Sequence, residues 1–363
     1  MQPTQEQTSE LKKSCVNCGA ELLYAPGTKE LKCEYCSYTQ DIPPSIKSFE
    51  ELELKPYLEQ LGSQSHSEKI TMLHCKNCGA NQHVEENYKS LHCVYCSMPL
   101  IIEDAYKDDW ILPGAVLPFQ IDQKKAHLIF KKWVNGLWWA PNKLQKASLD
   151  PQHTKGLYAP FWTFDAQLKS NYTGQRGEYY YVTKTVGSGK NRRTVRERRT
   201  RWYNTSGTVN GFVDDTLIKA SQQKKGVIPT EVANWDLKQL ETFHTGFLSG
   251  FVTEKYTVPL IDGHLSAKNE AKDIARRWIH SDIGGDTQRI DKMDMALSNE
   301  TFKHILLPIY ISAYMYNGKR YNFFVNGQTG AISGERPYSF WKIFLFVLMC
   351  LAILGVIIFV ANL

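Results

Sequence analysis

The strongest limit on the fold of this chain comes from two groups of four cysteines. Each group consists of two C-x2-C pairs separated by fourteen residues, and the second group repeats the first at an interval of 60 residues. The members are Cys15, Cys18, Cys33 and Cys36 in the first group and Cys75, Cys78, Cys93 and Cys96 in the second. Because the pattern C-x-N-C-G-A opens both groups, this part of the chain is an internal duplication.

This spacing is typical of zinc ribbons, in which two tight cysteine turns close a four-thiolate tetrahedral site around Zn²⁺. Since the protein supplies all four ligands, no position is left for a water molecule, and each site is expected to be structural rather than catalytic. The sequence therefore predicts two structural zinc ions per chain. Redox-active dithiols and an iron site are the alternatives, because thiolate ligands alone do not distinguish zinc from iron.

The residues around the cysteines offer little to nucleic acid. Basic and acidic side chains are mixed there: Lys29, Lys32, Lys76 and Lys89 accompany Glu21, Glu30, Glu34, Glu85 and Glu86. Binding to duplex DNA depends on neutralising phosphates with lysine and arginine. The ribbons are therefore interpreted as protein-interaction modules or as staples for folding.

An apolar run near the C-terminus is the second strong feature. Residues 343–361 form 19 consecutive positions without a charged side chain, about the length that crosses roughly 30 Å of hydrocarbon as a helix. A buried helix of a soluble core is the alternative, but such a helix is rarely apolar on every face. Aromatic and basic residues precede the run, as at a membrane interface: Arg336, Tyr338, Phe340, Trp341 and Lys342.

The charge distribution predicts the orientation of this membrane helix. Positive residues lie on its N-terminal side, which favours the cytoplasm for the bulk of the chain. The first thirteen residues are polar and do not resemble an export signal, and the short segment after the run is typical of a tail anchor. The cysteines are then expected to meet a reducing compartment, where metal binding is favoured over disulfides.

The region between the cysteines and the apolar run predicts an α+β fold that is itself repeated. Residues 123–133 resemble 268–278, each an amphipathic helix ending in basic residues and tryptophan, and 157–168 resemble 305–316. Each unit is expected to contain a strand (116–121 or 256–261), the helix, and two antiparallel strands. In the second unit the dipeptide Asn317-Gly318 predicts a two-residue hairpin turn joining strands 309–316 and 319–325.

A basic segment is inserted in the first unit. Its basic residues are Lys190, Arg192, Arg193, Arg196, Arg198, Arg199 and Arg201. With Glu197 as the one acid among them, their charge equals the whole excess of +6. Alternating residues on both sides of 187–191 predict a long hairpin with arginine on both faces. We expect it to contact anionic lipid, nucleic acid or an acidic partner; a solvated hairpin paired with acidic residues elsewhere is the alternative.

These features define a multidomain chain with two small zinc ribbons, a duplicated α+β region with antiparallel sheets, and one C-terminal transmembrane helix. The expected divisions are ribbon 1 at 1–40, a linker with a short helix at 41–71 and ribbon 2 at 72–104. They continue with α+β unit 1 and its basic hairpin at 105–255, unit 2 at 256–337 and the membrane anchor at 338–363. Within the linker the helix is expected at about 49–61.

Signatures of common enzyme classes are missing from the sequence. The GSGK segment at 187–190 resembles a phosphate-binding loop, but Lys184 stands where glycine is needed and Asn191 where serine or threonine is needed. The histidines form no pair with the spacing of metal ligands. A non-enzymatic protein is therefore expected.

Together the duplicated cysteine groups, the segment GLYAPFWTF at 156–164 and the terminal apolar run resemble a family of bacterial membrane proteins with transcription-factor-IIB-type zinc ribbons. Members are often labelled primosomal protein N′ or replication helicase-like, a label that the missing nucleotide-binding loop contradicts here. The resemblance implies the inner face of a bacterial cytoplasmic membrane, and partners among flotillin-like or phage-shock-type proteins of envelope stress and membrane homeostasis.

The function expected from the sequence is that of a membrane-anchored zinc-ribbon adaptor or scaffold. A membrane-tethered protein that binds nucleic acid through the basic hairpin is the alternative. In that case Trp202 and Tyr203 would be candidates for stacking on bases.

Overall fold

The structure is a computed structural model that describes most of the chain. The described residues are 14–43, 51–60, 67–76, 80–83, 91–93, 95, 99–100, 106–141, 154–187, 192–222, 228–229, 231–316 and 319–361. Within them four helices occur: α1 (Leu54–Gln60), α2 (Gln123–Asn135), α3 (Leu260–Ile283) and α4 (Phe340–Ala361).

Seventeen strands accompany these helices in the described part of the chain. They are β1 (Leu22–Tyr24), β2 (Glu30–Cys33), β3 (Thr39–Asp41), β4 (Leu52–Glu53), β5 (Ser67–His74), β6 (Asn81–His83), β7 (Leu91–His92), β8 (Pro99–Leu100), β9 (Tyr106–Ile111), β10 (Ala115–Val116), β11 (Lys155–Val186), β12 (Arg193–Lys219), β13 (Glu241–Thr242), β14 (Val252–Thr253), β15 (Thr287–Tyr316), β16 (Lys319–Asn326) and β17 (Ile332–Gly334).

The largest sheet is built on two exceptionally long strands. Its order is β12-β11-β15-β10-β13, with β16 and β4 also paired to β15, β14 paired to β11, and β17 paired to β16. Strands β11 and β15 contain 32 and 30 residues, whereas an average strand has about 5–6. At ~3.3 Å per residue, β11 extends for about 100 Å.

The register between β11 and β15 relates the two similar segments of sequence by a local two-fold axis. Ala159 pairs with Leu307, and Leu157 pairs with Ile309. Phe161 pairs with Ile305 in the same antiparallel ladder. The axis therefore relates each residue of the first segment to the residue 148 positions later in the second segment, as expected for two copies of a repeat.

Both faces of the sheet are covered around this axis. Tyr158, Leu306 and Tyr310 point to one face, where they pack with α2 and with side chains of β1 and β2. Alternate residues of the same strands, such as Leu157 and Ile309, point to the other face and pack with the segment that carries Cys75 and Cys93. Because neither face meets water, the strands read as continuous apolar runs rather than as an alternating pattern.

We call the part of the sheet around Ala159 and Leu307, together with the elements that cover its two faces, the body. Beyond the body, the three strands β11, β12 and β15 continue as a blade, defined as residues 167–186, 193–213 and 287–298. One face of the blade packs against α3, whose buried residues follow one stripe: Leu260, Gly263, His264, Ala267, Ala271, Ala275, Ile279 and Ile283. Small residues in this stripe bring the helix close to the sheet. On the sheet side, a Cβ atom at Gly211 would lie 2.7 Å from the end of the Trp278 ring, so any other residue there would displace that ring.

The blade ends in a two-stranded hairpin. The strand β15 begins at Thr287, opposite Gly177, so beyond that point only β11 and β12 remain paired. We call residues 178–201 the basic hairpin; residues 188–191 at its turn, including Lys190, lie outside the described residues. Both of its faces are open to solvent along most of its length.

Several predictions of secondary structure are confirmed. The helix predicted at 123–133 is α2, which Asp122 caps by accepting from the amide of Lys125 at 2.6 Å. The long hairpin predicted on both sides of 187–191 forms, with Val186 opposite Arg193. Strands β15 and β16 pair as predicted, with Tyr316 opposite Lys319, although Asn317 and Gly318 themselves lie outside the described residues.

Two predicted strands differ in the structure. The strand expected at 116–121 is reduced to β10, because Pro118 has no amide for a ladder. The amides of Gln120 and Ile121 bond to the carbonyl of Gly327 instead. The strand expected at 256–261 is wrong, since α3 begins at Leu260 directly after Pro259. The helix expected at about 49–61 is the shorter α1, and residues 44–50 lie outside the described residues.

Helix α4 corresponds to the apolar run. It has 22 residues and a mean hydropathy of 3.3 in its most apolar window, and none of that window is buried against the rest of the protein. Its length and composition are those of a helix that can cross a membrane.

The burial of Trp162 gives a test of the body's core. This side chain is fully buried, and its Nε1 donates to the carbonyl of Val258 at 3.0 Å. We expect Trp162→Ala to lower the free energy of unfolding by about 3–5 kcal/mol, because it leaves a large cavity. Chemical denaturation in detergent measures the change. The control, Leu128→Ala at an exposed position of α2, is expected to change it by less than about 0.5 kcal/mol.

Candidate metal centre

Four cysteine sulfurs meet at one end of the small sheet formed by β1, β2 and β3. The Sγ atoms of Cys15, Cys18, Cys33 and Cys36 all lie within 4.8 Å of one another. Cys15 Sγ is 3.4 Å from Cys36 Sγ, and Cys18 Sγ is 3.5 Å from Cys33 Sγ. Two of the four cysteines are buried and two are exposed, so the group lies at the surface of the body.

Two equivalent turns position these sulfurs. In the first turn the amide of Cys15 bonds to the carbonyl of Ala20 at 2.7 Å, and in the second the amide of Cys33 bonds to that of Tyr38 at 2.8 Å. The fifth residue of each turn has left-handed backbone angles: φ is +76° at Gly19 and +60° at Ser37. The left-handed conformation was expected at Gly19 from the sequence. It was not expected at Ser37, because serine carries no signal for this conformation.

Backbone amides favour the thiolate form of Cys15 and Cys33. At Cys18 and Cys36 the amides of Ala20 and Tyr38 also lower the pKa, but hydrogen bonds with neighbouring cysteines and burial outweigh them and raise it. The amide of Cys36 lowers the pKa of Cys33 to about 7, and the amide of Tyr35 acts in the same direction against the effect of burial. Burial alone would raise the pKa of Cys15, but the amides of Asn17 and Cys18 lower it below the ordinary value. Thiolates are the form that binds metal ions.

The group fits one tetrahedral metal ion. A zinc–sulfur bond of ~2.3 Å gives a tetrahedron with edges of about 3.8 Å, close to the two sulfur separations given above. A small outward adjustment of the sulfurs would complete such a site. Cys15, Cys18, Cys33 and Cys36 would all be ligands, which leaves no open coordination position for chemistry.

The second cysteine group is described only in part. Cys75 and Cys93 are buried, and Cys78 and Cys96 lie outside the described residues. The amide of Cys75 bonds to the carbonyl of Ala80 at 2.9 Å, which reproduces the bond made by Cys15 in the first group. Nε2 of Gln82 donates to Cys93 Sγ at 3.2 Å.

Equivalent tyrosines of the two groups have opposite environments. Tyr95 precedes the last cysteine of the second group, is fully buried, and donates its hydroxyl to the carboxylate of Glu254 in the body. Its counterpart in the first group, Tyr35, is 85% exposed, and Val16 beside Cys15 is 53% exposed. The second group thus docks on the body through a surface that the first group leaves open.

The described arginines of the basic hairpin are arranged as predicted, on both faces. Three of their guanidinium groups lie over tyrosine rings of β11: Arg196 over Tyr181 at 4.7 Å, Arg198 over Tyr179 at 4.3 Å, and Arg201 over Tyr180 at 5.1 Å. Among the described residues, Arg199 is the hairpin arginine that forms an ion pair, with Glu197 at 3.5 Å. The side chains of Arg192 and Arg193 are exposed. One face of Trp202 is covered by Arg289 at 4.0 Å.

An acidic cluster that the sequence did not reveal lies where the blade joins the body, with Asp165 buried, Asp215 half-buried and Asp214 exposed. Asp165 is 1% exposed and accepts from the amide of Asp215 at 2.5 Å and from the hydroxyl of Thr301 at 3.4 Å. Lys303 Nζ lies 3.5 Å from Asp215 and 3.1 Å from Glu51. The carboxylates of Asp165, Asp214 and Asp215 lie within 4.8 Å of one another, and Lys303 supplies positive charge beside them.

Comparison with known proteins gives one distant relative. The chain is 25% identical over 242 residues to YdjG, an uncharacterized protein of Bacillus subtilis (strain 168). The match covers 64% of this chain and 66% of the relative, slightly less than two thirds of its length. No family model matches the chain, and no solved structure matches it.

Replacing one ligand tests the metal centre. We expect Cys33→Ser to remove about one equivalent of metal per chain relative to the wild type, because an alcohol is a poor substitute for a thiolate ligand. Elemental analysis of the purified protein measures the loss. Cys350→Ser, in α4 and outside both cysteine groups, is the matched control and should keep the wild-type metal content.

The burial of Asp165 predicts a dependence of stability on pH. Burial raises the pKa of Asp165 from 3.8 to about 6, against the opposing effect of the Asp215 amide. Between these values the unfolded chain binds fewer protons at this site than the folded chain, so this group lowers the free energy of unfolding as pH rises from about 4 to about 6. Above that range its unfavourable contribution stays constant.

We therefore expect the difference in free energy of unfolding between Asp165→Asn and the wild type to shift in favour of the variant by about 1–3 kcal/mol as pH rises through this interval. Denaturation at a series of pH values measures the difference. Asp291→Asn, at an exposed site on the blade, is the control. A difference between Asp165→Asn and the wild type that is the same at every pH would contradict the assignment.

Proposed function

We propose that this protein is a non-enzymatic adaptor held on the cytoplasmic face of a bacterial membrane by α4, with two structural zinc ribbons in its body. The four-sulfur group around Cys15 supports the first zinc site. The shared turn geometry at Cys75 supports a second site with Cys75, Cys78, Cys93 and Cys96 as ligands. In both, a full set of protein ligands suits a role in folding rather than in catalysis.

The observation that carries the adaptor role is the contrast between Tyr35 and Tyr95. In the second ribbon this tyrosine makes a buried contact with a carboxylate of the body. In the first ribbon the equivalent Tyr35 faces solvent, and so does Val16 beside the metal site. Tyrosine is enriched in protein interfaces because it combines a large apolar ring with a polar hydroxyl. We propose that ribbon 1 binds a second protein through this surface.

The proposed location rests on α4 and the residues that precede it. A helix of this length and hydropathy, with no side chain of its apolar window buried in the body, would find an apolar environment in a bilayer. Arg336 and Lys342 favour the cytoplasm for the side that holds the body. The family resemblance points to flotillin-like or phage-shock-type partners and to membrane homeostasis.

We also propose that the α+β region arose by duplication. The order helix, long strand, antiparallel strand occurs twice, as α2-β11-β12 and as α3-β15-β16. The local two-fold axis between Ala159 and Leu307 supports this origin, because fused copies of one unit commonly pair as two subunits of a symmetric dimer do.

A second candidate function is the binding of nucleic acid by the basic hairpin. Its exposed arginines favour contact with a polyanion, and few of them are neutralised by carboxylates among the described residues. Of the two residues expected to stack on bases, Trp202 already carries Arg289 on one face, which argues against this function, whereas Tyr203 is exposed. Phosphate contacts alone would give affinity that falls steeply with salt.

One experiment separates the two candidates. Full-length wild-type protein, Tyr35→Ala, Tyr181→Ala and the triple variant Arg196→Gln, Arg198→Gln, Arg199→Gln are purified from native membranes in mild detergent. Co-purifying proteins, nucleic acid and metal are measured on each sample. Tyr181→Ala is the matched control because it removes another exposed tyrosine.

The adaptor predicts a stoichiometric protein partner that is lost with Tyr35→Ala and kept with the other variants, at unchanged metal content. Salt-labile nucleic acid that is lost with the triple variant would instead establish the second candidate. Retention of all partners by Tyr35→Ala would contradict the role proposed for the ribbon 1 surface.

A further inference from the structure

The segment after α2 is fastened to the beginning of α4. Lys342 Nζ donates to the carbonyls of Trp138 at 3.0 Å and Ala140 at 2.8 Å. The amide of Ser339 donates to the carbonyl of Trp139 at 2.8 Å. We call residues 136–141 the tryptophan loop; three hydrogen bonds therefore fix its backbone to the residues that enter the apolar helix.

Ring contacts extend this attachment into the apolar run. The ring of Trp139 meets that of Phe346 edge to face, with centroids 5.0 Å apart. Phe346 is the fourth residue of the run that begins at position 343, which places it about 5 Å along the helix axis from the start of the run. If α4 crosses the bilayer, the ring of Trp139 lies at the boundary between headgroups and hydrocarbon.

Trp138, the residue before Trp139, is largely exposed. It is 74% exposed, whereas its neighbours Leu137 and Ala140 are buried in the core beneath α2. The loop is thus held by the body on one side and by α4 on the other, which leaves little freedom to withdraw the indole. The aromatic residues around it at the start of α4 are also exposed: Tyr338, Phe340 and Trp341.

We infer that the tryptophan loop is a second membrane contact, in which Trp138 and Trp139 insert into the interface of the bilayer that α4 crosses. This inference rests on the membrane-spanning role proposed for α4. Tryptophan is favoured in this interface because its ring is apolar and its N–H can still reach polar groups. The continuity of the loop with the spanning helix argues for lipid as the occupant rather than a separate protein.

Two points of contact would fix the orientation of the body. A single spanning helix leaves the body free to rotate and tilt about its attachment. An inserted loop beside that helix removes this freedom, so the body presents a constant side to the membrane.

Magnetic resonance of fluorinated tryptophan tests the inference on the full chain. The protein is labelled with fluorotryptophan and reconstituted in nanodiscs of phosphatidylethanolamine and phosphatidylglycerol. Trp138→Phe, Trp202→Phe and Trp341→Phe assign three resonances. The probes are a lipid with a nitroxide near its headgroup and, separately, a water-soluble paramagnetic chelate.

We expect the lipid nitroxide to abolish the resonance of Trp138 and the chelate to leave it intact, while Trp202 on the blade keeps its resonance with the lipid nitroxide. Trp341 reports on α4 itself. Loss of the Trp341 resonance but not of the Trp138 resonance would overturn the inference and leave the membrane helix in place. If neither resonance responds to the lipid nitroxide, the spanning role of α4 fails.

Broadening of Trp138 by the chelate would show that the loop is in water. Protection of Trp138 from both probes would show that protein covers it, either a second copy or a partner. Each of these outcomes contradicts insertion into lipid.

Discussion

The antiparallel ladder between β11 and β15 organises the molecule. Its backbone hydrogen bonds hold together two strands of about thirty residues and join positions far apart in the chain, from Lys155 with Ile311 to Gly177 with Thr287. Around Ala159 and Leu307 both faces of this ladder are buried, one beneath α2 and the first cysteine group, the other beneath the segment with Cys75 and Cys93. The two cysteine-containing segments therefore cover a common sheet. A metal ion bound by either cysteine group would stabilise that sheet as well as its own turns.

The cover of the sheet decreases along its length, and the chemistry of its side chains changes with it. The body is apolar on both faces, the blade is apolar only toward α3, and the basic hairpin is polar and charged on both faces. Tyr172 and Val209 still face the helix, while their neighbours Asn171 and Thr208 point to water and hydrogen-bond each other at 2.8 Å. The basic hairpin at the end of the blade thus carries a concentrated positive charge away from the body.

The parts that local chemistry dictates were predictable from the sequence. Cysteine spacing identified the four sulfurs that the structure brings together, and the Asn317-Gly318 pair identified the β15–β16 register. The length of β11 was not predictable, because a glycine such as Gly174 interrupts a strand pattern in the sequence, whereas in the structure it admits the carbonyl of Arg289 at a shift in the β11–β15 register. Asp165 and the tryptophan loop were missed for a related reason: each depends on partners distant in sequence, Lys303 and Lys342, that no local pattern reveals.

The proposed arrangement depends on a body that stays on the cytoplasmic face of the membrane. Protease accessibility of the full-length chain in carbonate-washed membrane vesicles of opposite orientation tests this directly. The arrangement predicts that the protein remains in the washed membrane and that protease digests its body in inside-out vesicles only. Release of the protein by carbonate, or digestion of the body in right-side-out vesicles, would contradict it.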